Sequence, residues 1–230
     1  MTSGYEPRYY TSQPRNRQGV REDLVQDPHS RLKALIQEKC VLRGDFVLAS
    51  GQRSKVYFDC KRATLDPEGI HLIGGILLEK IDELARKDGR PFDAIGGPTI
   101  GADPIVGYMA GLSWQRAEAG RMEAAHEAAT SSPTHAPHPR PLRAFLVRKE
   151  TKGHGTQRTI ENIIASGSRV AIFEDVVTTG ASTLEAIRKA QEGGLEIAAV
   201  FAVVDREQGG AEALGHFRYY PLFKKSDFGL

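Results

Sequence analysis

Cysteine is scarce in this chain: Cys40 and Cys60 are the only two among 230 residues. They show neither CxxC nor metal-ligand spacing, which argues against a disulfide framework and fits a reducing compartment. Both are expected to be buried as small apolar residues. Long apolar runs are missing too. No stretch approaches a membrane span, and the N-terminus lacks the apolar centre of a signal peptide, so a soluble cytoplasmic protein without membrane partners is expected. An excess of one charge sign is also absent: 31 basic against 29 acidic side chains leave +2. Global attraction to nucleic acid is therefore not indicated, and any anion binding falls to local clusters.

Residues 1–28 mix Arg, Gln, Ser and Tyr without apolar periodicity and read as a disordered leader. An N-terminal arm that contacts a partner is the sharper alternative. Residues 29–230 are long enough to bury one full core, and an α/β domain is expected there.

Ser30 is the expected cap of a first helix with Leu32, Leu35 and Ile36 at helical spacing, ending near Gly44. Asp45 to Ala49 and Lys55 to Cys60 read as two short strands around the turn Ser50-Gly51-Gln52-Arg53. Asp66, Pro67 and Glu68 supply N-cap, N1 and a first-turn acid for a long helix that carries Ile70, Ile73, Leu77, Ile81 and Leu84 on one face and stops at Asp88-Gly89. Beyond Phe92, apolar strands at 93–96, 143–147, 168–173 and 197–204 alternate with helices that begin at Ala102 and span 182–191. That alternation means a parallel sheet covered on both faces, with ligands beyond the carboxyl ends of its strands. Gly97 to Gly101, Arg148 to Gly155, Glu174 to Ser182 and Asp205 to Gly209 all fall at that rim.

From Ser113 to Pro141 the composition turns to Ala, Glu and Arg and then to SSPTHAPHPRP. The first half can lengthen the preceding helix; the Pro-rich half reads as a mobile insertion. His126, His135 and His138 lack acidic or cysteine company at a defined spacing and read as a solvated loop rather than a metal site.

Chemistry concentrates in two segments. EDVVTTGAS, Glu174 to Ser182, follows the apolar run Arg169 to Phe173 and opens into a helix, so backbone N–H groups and a helix dipole converge on an anion-sized spot. Its adjacent carboxylates suit a cation or sugar hydroxyls, which together point to a sugar phosphate. RKETKGHG, Arg148 to Gly155, leaves a buried strand with three cations, a histidine and two glycines. It reads as a polyphosphate clamp rather than a solvated charge run.

These segments, with GDFVLASGQRSKVYFD at Gly44 to Asp59, GPTIGADP at Gly97 to Pro104 and VVDREQGG at Val203 to Gly210, resemble the type I phosphoribosyltransferase family. The basic loop and the hairpin segment resemble its orotate branch in particular. The resemblance implies a mostly parallel sheet flanked by helices, with an N-terminal helix and β hood over 29–65. It implies that Glu174 and Asp175 hold the ribose hydroxyls of 5-phosphoribosyl 1-pyrophosphate, with Val176 and Val177 in the same binding segment, and that Thr178, Thr179, Gly180, Ala181 and Ser182 hold the 5′-phosphate. It further implies that Arg148, Lys149, Lys152 and His154 bind pyrophosphate, with Lys152, His154 and Asp175 catalytic. Lys152 and His154 would then act across a homodimer interface. Arg206, Thr178, Tyr57 and Phe58 match orotate-contacting positions; since residues alternate faces, only one of Tyr57 and Phe58 is expected at the ligand, the other in the core. Mg²⁺ is the implied cofactor, held mainly through the pyrophosphate substrate rather than by protein ligands.

Two positions depart from a common form of the pattern. Ala49 stands where some relatives have lysine, and Ile100-Gly101 where they have Tyr-Lys, so two cations are absent. Lys55, Lys61 and Arg62 are the neighbours in sequence that could compensate. The expected activity is orotate phosphoribosyl transfer in UMP biosynthesis. A phosphoribosyltransferase-fold regulator that binds the same sugar phosphate and nucleic acid is the alternative, and transfer to a purine or uracil is a further one.

Overall fold

The computed structural model describes residues 27–47, 53–130, 140–149 and 159–230. The leader up to residue 26, the hairpin turn, His135, His138, Lys152 and His154 lie outside these.

Helix α1, Pro28–Lys39, begins one turn earlier than expected. Asp27 is its cap, accepting from His29 and Ser30 N–H at 3.2 and 2.9 Å, and Pro28 occupies the first turn. Ser30 instead donates its hydroxyl to Asp27 at 2.7 Å. A carboxylate followed by proline satisfies the orphan donors at least as well as serine. The helix stops at Lys39 rather than near Gly44, because the next residues are drawn into pairing. Strand β1, Val41–Val47, runs antiparallel to β2, Arg53–Phe58, with its register shifted between Arg43 and Phe46, and this pair forms the hood. Cys40 and Cys60 end up buried as free thiols beneath it.

A one-turn helix α2, Lys61–Thr64, leads to α3, Pro67–Asp88. Asp66 caps α3 by accepting from Glu68 and Gly69 N–H, and Gly89 closes it at φ 62°, a left-handed conformation that glycine adopts without cost. Its face of Ile73, Leu77, Ile81 and Leu84 is buried against the sheet.

The sheet is built from β3, Ala94–Pro98, then after helix α4, Asp103–Thr130, from β4, Arg143–Val147, and β5, Ile160–Glu161. Strand β6, Arg169–Val177, helix α5, Ala181–Glu192, and β7, Glu196–Asp205, follow. The one-turn helix α6, Gly210–Ala213, and β8, Tyr219–Lys224, complete it. The strand order is β5-β4-β3-β6-β7-β8, parallel except for the β4–β5 pair. Helix α4 continues through Ser113 to Thr130, so the first half of the expected insertion is helical.

Alternation along β6 and β7 divides the core in two. Ala171, Phe173, Phe201 and Val203 face α1, α3 and α4, whereas Val170, Ile172, Val200 and Ala202 face α5. Phe173 and Phe201 stack at 5.0 Å between ring centres. From β3 the chain crosses by α4 to one side of the sheet, and from β6 it crosses by α5 to the other. A crevice therefore opens between the carboxyl ends of β3 and β6, the point where the strand order reverses.

Candidate active site

Strand β6 runs four residues beyond the expected Phe173, so Glu174 and Asp175 belong to the strand and not to the loop after it. Glu174 pairs with Ala202 of β7, and both carboxylates are buried. Ser182 and Thr183, in the first turn of α5, donate their hydroxyls to Glu174 at 3.1 and 3.4 Å. Burial and the neighbouring Asp175 push the Glu174 carboxyl up to about 8. A carboxyl poised in this way loses its proton when a cation or hydroxyl donors reach it.

Between strand and helix, Gly180 takes φ 79° and no side chain caps α5. The first-turn N–H groups thus face the loop Thr178-Thr179-Gly180, as an anion cradle requires. Gly210 closes the cradle from behind: a Cβ there would stand 2.3 Å from Val177 Cγ1 and 2.9 Å from the Thr178 carbonyl.

A cavity of about 560 Å³ joins these groups to the rest of the rim, lined by Lys61, Pro98 to Gly101, Arg148, Lys149, Glu174 to Val176 and Ser182. Arg148 and Lys149 stand at the exit of β4, and Arg148 also pairs with Glu161 of β5 at 2.5 Å. On the opposite wall Gly101 lies so close that a Cβ would meet Asp175 Oδ1 at 2.3 Å and Glu174 Oε1 at 2.7 Å. A side chain at 101 would therefore require these carboxylates to shift. Of the three candidate substitutes, Lys55 is paired with Asp45 and Arg62 with Asp59, while Lys61 turns to the cavity with Nζ 3.7 Å from Asp175 Oδ2.

The strand pairing Val177↔Asp205 brings the next residue, Arg206, beside the cradle, its N–H donating to the Val177 carbonyl at 2.9 Å. Its guanidinium is buried, its Nε has no partner among the described residues, and burial lowers its pKa from the ordinary arginine value. The guanidinium lies 6.0 Å from the centre of the Tyr57 ring. Phe58 turns the other way: it is buried in the core, 5.5 Å from Phe228, and is placed for packing rather than for ligand.

A comparison with models of protein families gives no match. Curated relatives do match over most of their length. The orotate phosphoribosyltransferase of Aquifex aeolicus is 41% identical over 202 residues, covering 86% of this chain and 95% of the relative. The chain belongs to the orotate phosphoribosyltransferase family. Another member, from Pyrococcus furiosus, is 36% identical over 193 residues, 83% of this chain and 89% of its own. Among solved structures, the Mycobacterium tuberculosis orotate phosphoribosyltransferase in complex with 5-phospho-alpha-D-ribosyl 1-diphosphate matches with TM-score 0.62 at 32% identity, covering 89% of this chain and all of that one. Orotate phosphoribosyltransferases are pentosyltransferases with the α/β fold seen here, and the regulator reading gains no support from these relatives.

Proposed function

We propose that the protein transfers the phosphoribosyl group of 5-phosphoribosyl 1-pyrophosphate to orotate, giving orotidine 5′-monophosphate and pyrophosphate in cytoplasmic UMP synthesis. One observation carries the reading: the acidic pair, Ser182 at the uncapped start of α5 and the cations Arg148 and Lys149 line one crevice, and Arg206, with its buried guanidinium, follows the strand end paired with Val177. Phosphate at one end of a ribose and pyrophosphate at the other is the ligand that uses all of these. The buried guanidinium of Arg206 suits the carboxylate and imide oxygens of orotate, and the half-exposed Tyr57 ring near it offers a wall for the flat base.

In the reaction the bond from the sugar's anomeric carbon to pyrophosphate oxygen breaks, and a bond to the orotate nitrogen forms as that nitrogen gives up its proton. Positive charge grows on the sugar and negative charge on the leaving group. No protein nucleophile is needed, and the work is positional and electrostatic. Thr178 to Ser182 hold the 5′-phosphate, Glu174 and Asp175 orient the ribose hydroxyls, and Arg148 and Lys149 receive the pyrophosphate. Lys152 and His154 complete that last group from the partner subunit of a homodimer.

The donors present fit Mg²⁺. Glu174 and Asp175 are hard oxygen ligands that could share the ion with substrate oxygens. When bound it would neutralise charge on pyrophosphate. No described helix is long and apolar enough to cross a membrane. The direct test mixes orotate, the sugar pyrophosphate and Mg²⁺ with the protein and follows loss of orotate absorbance. No loss beside an active control enzyme overturns the proposal, and faster turnover of uracil or a purine reassigns the base.

A further inference from the structure

Lys189 lies on the buried face of α5, beside Ala186, Ile187 and Ala190. A lysine in such a place must have its charge and its three donors satisfied. Its ammonium donates to the main-chain carbonyls of Arg148 at 2.8 Å and Lys149 at 2.9 Å, and stands 3.3 Å from Glu185. An ion pair with Glu185 alone would not need burial, because Arg188 makes that contact from the surface at 2.7 Å.

The two carbonyls belong to consecutive residues. In a strand, successive carbonyls point to opposite sides. Here they converge on one ammonium, so the backbone at the exit of β4 is bent away from the strand path where Lys189 holds it. Arg148 is held from its other side too, its N–H donating to the Thr159 carbonyl at 2.9 Å. The side chains that leave this bend, Arg148 and Lys149, both line the cavity.

We infer that Lys189 is a positioning residue for the pyrophosphate end of the site, setting where Arg148 and Lys149 stand relative to the phosphate cradle. The inference rests on the functional reading above. Its physical basis is that one rigid helix carries both features: its N-terminus forms the cradle, and eight residues on, about 12 Å along the axis, its lysine grips the basic exit. The two anion-binding ends of the site are thereby held to a common frame, and Lys189 itself touches neither ligand.

Binding of Mg²⁺-pyrophosphate and of ribose 5-phosphate, measured separately on Lys189→Met and on the unaltered protein, tests this. Pyrophosphate affinity should fall at least about tenfold, with ribose 5-phosphate affinity within about twofold, because only one end loses its support. Adding Lys149→Ala to Lys189→Met should cost less than the product of the separate losses, since both act through the same contact. In steady state the KM for the sugar pyrophosphate rises and kcat falls while the KM for orotate holds. Unchanged pyrophosphate affinity in Lys189→Met, or equal loss of both ligands, overturns the assignment. Should that variant fail to fold, Lys189→Gln is measured by the same criteria. Turnover of the unaltered protein tests the functional reading itself, so the two failures remain distinct.

Discussion

Lys61 Nζ stands 3.7 Å from Asp175 Oδ2 and ties helix α2 to the carboxyl end of the central strand. The lysine is half exposed while the aspartate is buried, so the contact lies at the mouth of the crevice, where a substrate anion would meet it. With glycine at 101 and alanine at 49, Lys61 is placed to supply a cation on that wall. Lys61→Met should raise the KM for the sugar pyrophosphate about tenfold, the weight of one charge-assisted contact, and leave the KM for orotate within about twofold. Lys61→Arg should recover most of the loss. Initial rates over a matrix of both substrates decide it: an unchanged sugar-pyrophosphate KM removes Lys61 from the site.

Glu174 makes stability depend on pH. Its raised pKa means that the folded, ligand-free protein keeps a proton that the unfolded chain releases. The stabilisation from this group is full below its ordinary value of 4.5 and is lost as pH rises toward about 8. Glu174→Gln should therefore flatten the fall of Tm across that window and melt higher than the parent at alkaline pH. Binding of Mg²⁺ and the sugar pyrophosphate near pH 7 should expel up to about one proton, read as a binding enthalpy that depends on the buffer's ionisation heat. A parent Tm that rises with pH over this interval contradicts the assignment.

A Cβ at Gly101 would stand 2.3 Å from Asp175 Oδ1, so any side chain there has to displace that carboxylate. Gly101→Ala should push the acidic pair or the Thr99–Gly101 turn aside and lower kcat/KM roughly 10- to 100-fold, the scale of an ångström of misplacement in a reacting site. The Tm should hardly move, because the turn lies at the rim and outside both core clusters. Activity within about twofold of the parent would mean that the carboxylates have slack the structure does not show.

Elements bounded by local signals are legible in the sequence, whereas those made by long-range pairing are not. Asp66-Pro67 and Gly89 bound α3 to the residue because caps are made by side chains within a turn of the ends they close. Polarity misled at Glu174-Asp175, which reads as loop in the sequence but is strand, held by pairing with β7 across the sheet. Strand β5 exists only through its pairing with Leu146 and Val147, and β8 contains Pro221, which an edge strand tolerates, so neither has a clear signature. The same holds for Lys189. Its place beside the stripe Thr183, Ala186, Ile187 and Ala190 could have marked it as a buried lysine, but the carbonyls it serves lie some forty residues away.

Lys152 and Arg206 should belong to opposite subunits of each working site. Alone, Lys152→Ala should lower kcat on the order of 10² or more, as removal of one preorganised donor does. Arg206→Ala should act on orotate instead, weakening it by about tenfold or more through loss of a bidentate partner. Co-expressed, the two variants form a mixed dimer in which one crevice has its own Arg206 and the partner's Lys152 intact. Half of the dimers are mixed and one site in each is whole, so activity should return to about a quarter of the parent's. Purified Lys152→Ala and Arg206→Ala homodimers, assayed as a simple mixture before subunit exchange, should show no such recovery. If co-expression yields only the average of the two single variants, Lys152 serves the site of its own chain, and the shared-site dimer is wrong.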